Sequence, residues 1–209
     1  MADQGARPGA KRTRRTRADV VDAALGILDD QGLPDLTMRR LADVLGVQPS
    51  ALYWHFDSKQ ALLAAVSERI LAPLAEQAVA ERSFVAAAAA LGTGLRQCLL
   101  AHRDGAELVS SSLALGLVAP PLHDPLARAA DAAGAPAEVA RTAAEAITHF
   151  VIGYVFHEQQ RAFAASLGVV GPGAVGQAPD DDAAEFAAVL DLIGAGLAGL
   201  VSTGSTAGG

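Results

Sequence analysis

Leu36-Thr-Met-Arg-Arg-Leu-Ala-Asp-Val-Leu-Gly-Val-Gln-Pro-Ser-Ala-Leu-Tyr-Trp-His-Phe-Asp-Ser-Lys-Gln-Ala-Leu-Leu63 encodes two short helices across a glycine turn. Thr37 can cap the first by accepting from a free backbone N–H, and Leu36 can pack on Leu41 as a hydrophobic staple. Gly46 stops that helix after about two turns. Pro49 stands where a first helical residue is expected, a place where its missing N–H costs nothing. Ala51 to Phe56 continues this second short helix, and Asp57 or Ser58 can cap the next.

Upstream, Val21, Ala24, Leu25 and Leu28 recur at i, i+3, i+4 and i+7, and Gly32 follows as a stop. This predicts a buttressing helix over 17–31. Downstream the pattern stays helical: 58 to 71, where Pro73 should kink or end the helix, then 83–101, broken pieces over 102–136, a long helix over 137–165 and a last one over 183–202. Gly168 to Asp182, rich in Gly, Pro and Asp, predicts a loop. The expectation is an all-α chain with a flexible basic arm at 1–16, a helix-turn-helix domain at 17–63, a larger helical domain at 64–202 and a disordered tail at 203–209.

The net charge of -7 is unevenly spread. Residues 1–59 carry nine Lys/Arg and eight acids, net +1, and the remainder carries seven and fifteen, net -8. An acidic body with a basic arm at one end suits a protein that offers a polyanion one surface only. Cys98 is the single cysteine, so no internal disulfide is possible; its setting reads as a buried helix residue, consistent with a reducing cytoplasm. No signal peptide is expected, and apolar runs such as 84–91 read as too short to cross a bilayer.

A tight two-helix turn with a third helix behind it is the geometry that places one helix in a major groove while the other crosses the backbone. Arg39 can reach a guanine edge or a phosphate. Gln48, Pro49, Ser50 and Tyr53 lie at the start of the second short helix, where base edges and thymine methyls are read. Tyr53, His55 and Lys59 suit phosphates, and so do the amides at the start of the following helix. Lys11 to Arg17, including Arg14 and Arg15, form an arm suited to the minor groove or backbone. Thr37 and Trp54 complete the candidate surface, although Trp54 and Phe56 read first as core of the head.

The stretch from Leu36 to Leu63 resembles the signature of the TetR family of one-component regulators. The resemblance implies a three-helix DNA head, a ligand-binding helical body and a homodimer on palindromic double-stranded operator DNA. Leu99-Leu-Ala-His-Arg-Asp-Gly-Ala106 and Thr148-His-Phe-Val-Ile-Gly153, followed by Glu158 and Gln159, are similar to segments of the tetracycline-repressor branch. That branch implies dimerisation through the helices at 137–165 and 183–202.

Departures from the branch speak to the ligand. The place of its magnesium-binding histidine is Val109, and neighbouring drug-contacting positions are Ser112 and Leu113. Two more are Leu91 and Leu95, a metal-associated glutamate is His157, and another histidine is Ala75. These changes predict an effector other than magnesium-tetracycline. They leave a mainly apolar pocket walled by Leu91, Leu95, Val109, Leu113, Phe150 and Phe156, with Ser112, His149 and His157 as polar handles. Each wall residue reads equally as plain helix core. His102 reads as a loop cap, and no histidine spacing demands a metal. No cofactor is expected.

Three functions compete. A repressor released by an apolar or aromatic small molecule fits best; an activator differs from it only in operator placement. An architectural protein would bind DNA irrespective of sequence and with strong salt dependence. An enzyme finds no support, for want of a nucleophile, a phosphate loop or paired carboxylates. In the groove-reading helix, Gln48-Pro49 stands one residue earlier relative to Leu52-Tyr-Trp-His55 than in the tetracycline repressors, so their operator is not expected.

Overall fold

The computed structural model describes residues 15–76, 83–169 and 179–206. Among them there are nine α-helices, one 3-10 turn and no strand. α1 (Arg17–Gln31) opens on a reciprocal capping box: the Thr16 hydroxyl accepts from Asp19 N at 3.1 Å, and the Asp19 carboxylate accepts from Thr16 N at 2.8 Å. These hydrogen bonds hold the Asp19 carboxyl below the usual range. Val20, Val21, Ala24, Ile27 and Leu28 face inward. Leu33–Asp35 forms the 3-10 turn that leads to α2 (Met38–Leu45).

Thr37 caps α2 by accepting from Arg40 N at 3.1 Å, and Leu36 and Leu41 are both fully buried, as the staple requires. Gly46 ends α2 at φ 65°, a left-handed conformation that a side chain would strain. α3 (Pro49–Leu52) begins at Pro49. α4 (Lys59–Glu76) is capped by the Ser58 hydroxyl, which accepts from Ala61 N. Pro73 does not end it: the helix runs through Pro73 to Glu76, and Pro73 is solvent-exposed.

The body comprises α5 (Phe84–Leu100), α6 (Gly105–Ala114), α7 (His123–Ala133), α8 (Ala137–Ser166) and α9 (Pro179–Thr206). α5 lies at its centre and packs on α4, α6, α7, α8 and α9. Gly92 permits this: a Cβ there would sit 3.0 Å from Ile147 Cγ2 and 3.1 Å from Leu190 Cδ2. Gly105 turns the α5–α6 corner, where a Cβ would stand 2.6 Å from the Leu99 carbonyl. One apolar core extends from Val20 and Leu41 in the head to Leu190 and Leu197 in α9.

Besides the end of α4, three boundaries differ from expectation. α3 stops at Leu52 and does not continue to Phe56, because the chain turns at residues 53–55. α9 starts at Pro179, inside the segment expected as a loop, and residues 170–178 lie outside those described. It also continues to Thr206, where a disordered tail was expected; residues 207–209 lie outside those described. A further correction concerns hydropathy. Residues 182–202 of α9 reach a mean hydropathy of 1.8 and are long enough to cross a bilayer by length and composition, because Leu, Ile, Val and Phe recur there with few charges between them. The helix packs on α5 and α8.

Candidate functional site

The head presents its polar residues on a rigid base. Leu41, Ala42, Leu45, Leu52 and Phe56 are buried against α1 and α4. Arg39, Gln48, Pro49 and Ser50 are exposed, as is the cap residue Thr37. Arg40 is spent locally, its Nε donating to Gln31 Oε1 of α1 at 3.0 Å. That bond fixes α2 on α1 and leaves the neighbouring Arg39 facing solvent. Tyr53 is half exposed, and His55 and Lys59 are partly exposed at the α3–α4 junction.

Trp54 corrects the expectation of a core residue. It is 89% exposed, whereas Phe56 is buried. The backbone turns between them, at Tyr53 to His55, so the two rings leave on opposite sides. Arg15 is exposed, and Arg17 opens α1 with its guanidinium 4.7 Å from the centre of the Phe56 ring. Arg17 is therefore a fixed cation beside α3 and α4 rather than part of a loose arm. Arg14 and Lys11 lie outside the described residues.

In the body, the expected ligand-contacting residues are placed differently from one another. Leu91, Leu95 and Val109 are fully buried in the core. Ser112 is buried, and its hydroxyl is 2.8 Å from that of Ser67, which itself donates to the Leu63 carbonyl at 3.0 Å. Leu113 and Phe156 are partly buried, and Phe150 stacks on Phe186 at 5.3 Å, joining α8 to α9. His149 and His157 are exposed; the His149 Nδ1 contacts the Glu145 carbonyl one turn back. Thr148 Oγ1, also in α8, is buried without a hydrogen-bond partner among the described residues. Cys98 is buried as expected, and burial pushes its thiol pKa up, away from reactive thiolate.

One open cavity lies at the α5–α6 corner. It has a volume of about 780 Å³ and is lined by the end of α5 (Arg96, Leu100), the α5–α6 corner (His102, Arg103, Asp104), the end of α8 (Glu158 to Ser166) and Asp182 of α9. None of the nine expected ligand-binding residues lines it. Arg96 makes a two-point pair with Glu158, at 2.5 and 3.1 Å, and lies over the Phe186 ring. Arg161 pairs with Asp182 at 2.9 Å.

The α5–α6 corner also ties the body to the head. His102 Nδ1 is 3.1 Å from the Asp29 carboxylate, Arg103 N donates to the same carboxylate, and Leu33 N donates to Asp104 Oδ2 at 2.8 Å. Asp104 is held at φ 54°, a conformation uncommon outside glycine. A single amide secures the corner from behind. Gln159 Nε2 donates to the Leu99 and His102 carbonyls, and its Oε1 accepts from Ala106 N. The expectation of His102 as a loop cap is corrected here, because Gln159 does the capping and His102 reaches α1. No spacing rule exposes such a junction, since its partners are separated by about seventy residues; the Leu99–Ala106 wording and Gln159 were the visible trace.

Among the described residues, no group of three or more His, Cys, Asp or Glu side chains is arranged to hold a metal ion.

A three-helix head with an exposed groove-reading edge, clamped to a larger helical body, defines a helix-turn-helix transcriptional regulator. Residues 20–66 match the model for bacterial regulatory proteins of the tetR family, and residues 79–169 match the tetracyclin repressor-like C-terminal domain. The chain belongs to the TetR family, whose members are DNA-binding transcription factors rather than enzymes. It is 39% identical over 145 residues to the tetracycline repressor protein class A from transposon 1721 of Escherichia coli, a match covering 67% of this chain and 65% of that one. The chain thus spans just under two thirds of the length of that curated relative. The crystal structure of Mycobacterium smegmatis BioQ superposes with a TM-score of 0.76 at 40% identity, covering 88% of this chain and 98% of BioQ. A structure of BioQ with its double-stranded DNA operator superposes at 0.71 and 39% identity, with the same coverage of both chains.

Proposed function

We propose that this chain is a homodimeric repressor that binds a palindromic operator and is released from it by a small molecule. The observation that carries the reading is the exposed row Arg39, Gln48, Pro49, Ser50 and Tyr53 above a buried head core. In this reading Arg39, Gln48, Ser50 and Tyr53 meet the major groove. Thr37, Trp54, His55, Lys59 and Arg17 hold the phosphates at its edge, with Arg14 and Arg15 leading into the arm. A protein that reads chromosomal operators works in the cytoplasm.

Dimerisation is proposed through α8 and α9. α9 carries a 21-residue apolar window, yet only 22% of it is buried within the protomer, so a second copy has a surface to cover. The operator halves then follow the two-fold axis. Release needs a coupling of only about 1–3 kcal/mol between effector and DNA sites, which lowers operator affinity about 5- to 150-fold.

The test is electrophoretic shift with DNA from upstream of the protein's own coding region, against excess unrelated duplex. Specific binding is expected, and Arg39→Ala and Tyr53→Ala should each weaken it by roughly 1–3 kcal/mol. Unchanged binding in both variants overturns the proposed reading surface. Binding that the unrelated duplex removes equally well identifies a sequence-indifferent protein instead.

A further inference from the structure

The junction cavity is lined by three guanidinium groups and three carboxylates, and one of each, Arg103 and Asp104, has no ion-pair partner among the described residues. Arg96 is satisfied by Glu158 and Arg161 by Asp182, while the Asp104 carboxylate accepts from Leu33 N. Arg103 alone among the three lining guanidinium groups has no carboxylate paired with its side chain among the described residues. Its Nη1 reaches the Asp30 carbonyl at 3.5 Å, the outer limit of a hydrogen bond, and its Cζ lies 5.7 Å from the centre of the Phe163 ring. Phe163 and Leu100 are 45% and 39% exposed and give the cavity an apolar wall beside that cation.

We infer that the cavity binds a small aromatic monocarboxylate, its anionic end on Arg103 and its ring against Phe163 and Leu100. A guanidinium fork matches a carboxylate in two parallel hydrogen bonds. Asp104, the one lining carboxylate without a cation paired to it, repels a second negative charge, which favours a ligand carrying one. The volume falls in the range of small-molecule sites. The ligand would draw Arg103 from the Asp30 carbonyl at the end of α1, so binding acts on the joint between body and head. This inference rests on the regulator reading for its consequence, though not for the site itself.

The probe is 1-naphthoate, titrated calorimetrically into the full chain, with 1-naphthamide and acetate as the uncharged and the non-aromatic analogues. Saturable binding of naphthoate is expected, with both analogues weaker by at least about tenfold. Arg103→Gln should lower naphthoate affinity by about tenfold or more, the size of a lost charge-assisted pair, and Phe163→Ala should lower it several-fold. Should Arg103→Gln lose its folded thermal transition, the exposed Phe163→Ala decides alone. Absence of saturation, equal binding of naphthamide, or affinity unchanged in the folded variants overturns the site. Operator binding is measured on the same preparation. Operator bound but naphthoate not bound rejects this site alone, and naphthoate bound without any operator binding rejects the regulator reading alone.

Discussion

Thr148 Oγ1 sits in an apolar environment with neither a donor nor an acceptor among the described residues. An unmet buried hydroxyl carries a desolvation cost with no return, so Thr148→Val, close in shape, should stabilise the fold by about 1 kcal/mol. A rise in the thermal midpoint checks it; a fall would show that the hydroxyl has a role the described contacts do not include. Ser67 and Ser112 are the opposite case. Their hydroxyls meet at 2.8 Å inside the body, and Ser67 also has the Leu63 carbonyl. Ser67→Ala strands Ser112 and should cost roughly 1–3 kcal/mol, whereas Ser112→Ala leaves Ser67 with a partner and should cost less. The double variant should be more stable than the sum of the two single losses predicts, as measured by a urea-denaturation cycle. Ser112 was legible in the sequence as a polar residue among apolar ones. Its partner was not, because a hydroxyl on α4, 45 residues away, leaves no periodic mark on α6.

At the scale of elements, glycine shows why some features could be read from sequence and others could not. Gly26 on α1 and Gly92 on α5 look alike in a helical pattern. A Cβ at Gly26 meets nothing within 4 Å, while one at Gly92 meets Ile147 of α8 and Leu190 of α9 at about 3 Å. Gly26→Ala should therefore gain about 0.5–1 kcal/mol from helix propensity. Gly92→Ala should lose roughly 1–3 kcal/mol, because overpacking at a helix crossing exceeds that gain. Opposite shifts in denaturation midpoint are the expected result; shifts of the same sign would refute the close packing of α5 on α8 and α9. α1, α2 and the start of α3 were legible to within a residue because their signals are local, Thr37, Gly46 and Pro49 each acting on the backbone beside them, whereas the end of α3 at Leu52 instead of Phe56 was not. The end of α4 was not, since whether a helix tolerates Pro73 depends on its surroundings. The exposure of Trp54 depended likewise on where the chain turns after Leu52. The cavity was least legible of all, being assembled from the ends of three helices and one corner.

For the whole molecule, the decisive surface is the outward side of α9. Phe186, Leu190 and Leu197 face the protomer core, while Leu192 stands 72% exposed and a Cβ on nearby Gly196 would meet nothing within 4 Å. A leucine beside an open glycine, on a helix this apolar, suits a second helix approaching closely. In a two-fold arrangement each such residue is buried twice. In the proposed dimer, Leu192→Glu places a charge at the contact in both copies, and desolvating it costs several times the leucine's own contribution. The variant should dissociate to monomers at concentrations where the parent is dimeric, as read by sedimentation equilibrium. Its thermal midpoint at high concentration should fall less than a core substitution would lower it, because Leu192 touches little within its own protomer. Operator affinity should fall with the dimer, since two half-sites bound by unlinked heads lose the gain in effective concentration that a rigid body supplies. A Leu192→Glu chain that remains dimeric would move the interface away from this side of α9. A monomeric one that still binds operator at full affinity would show that a single head suffices for recognition.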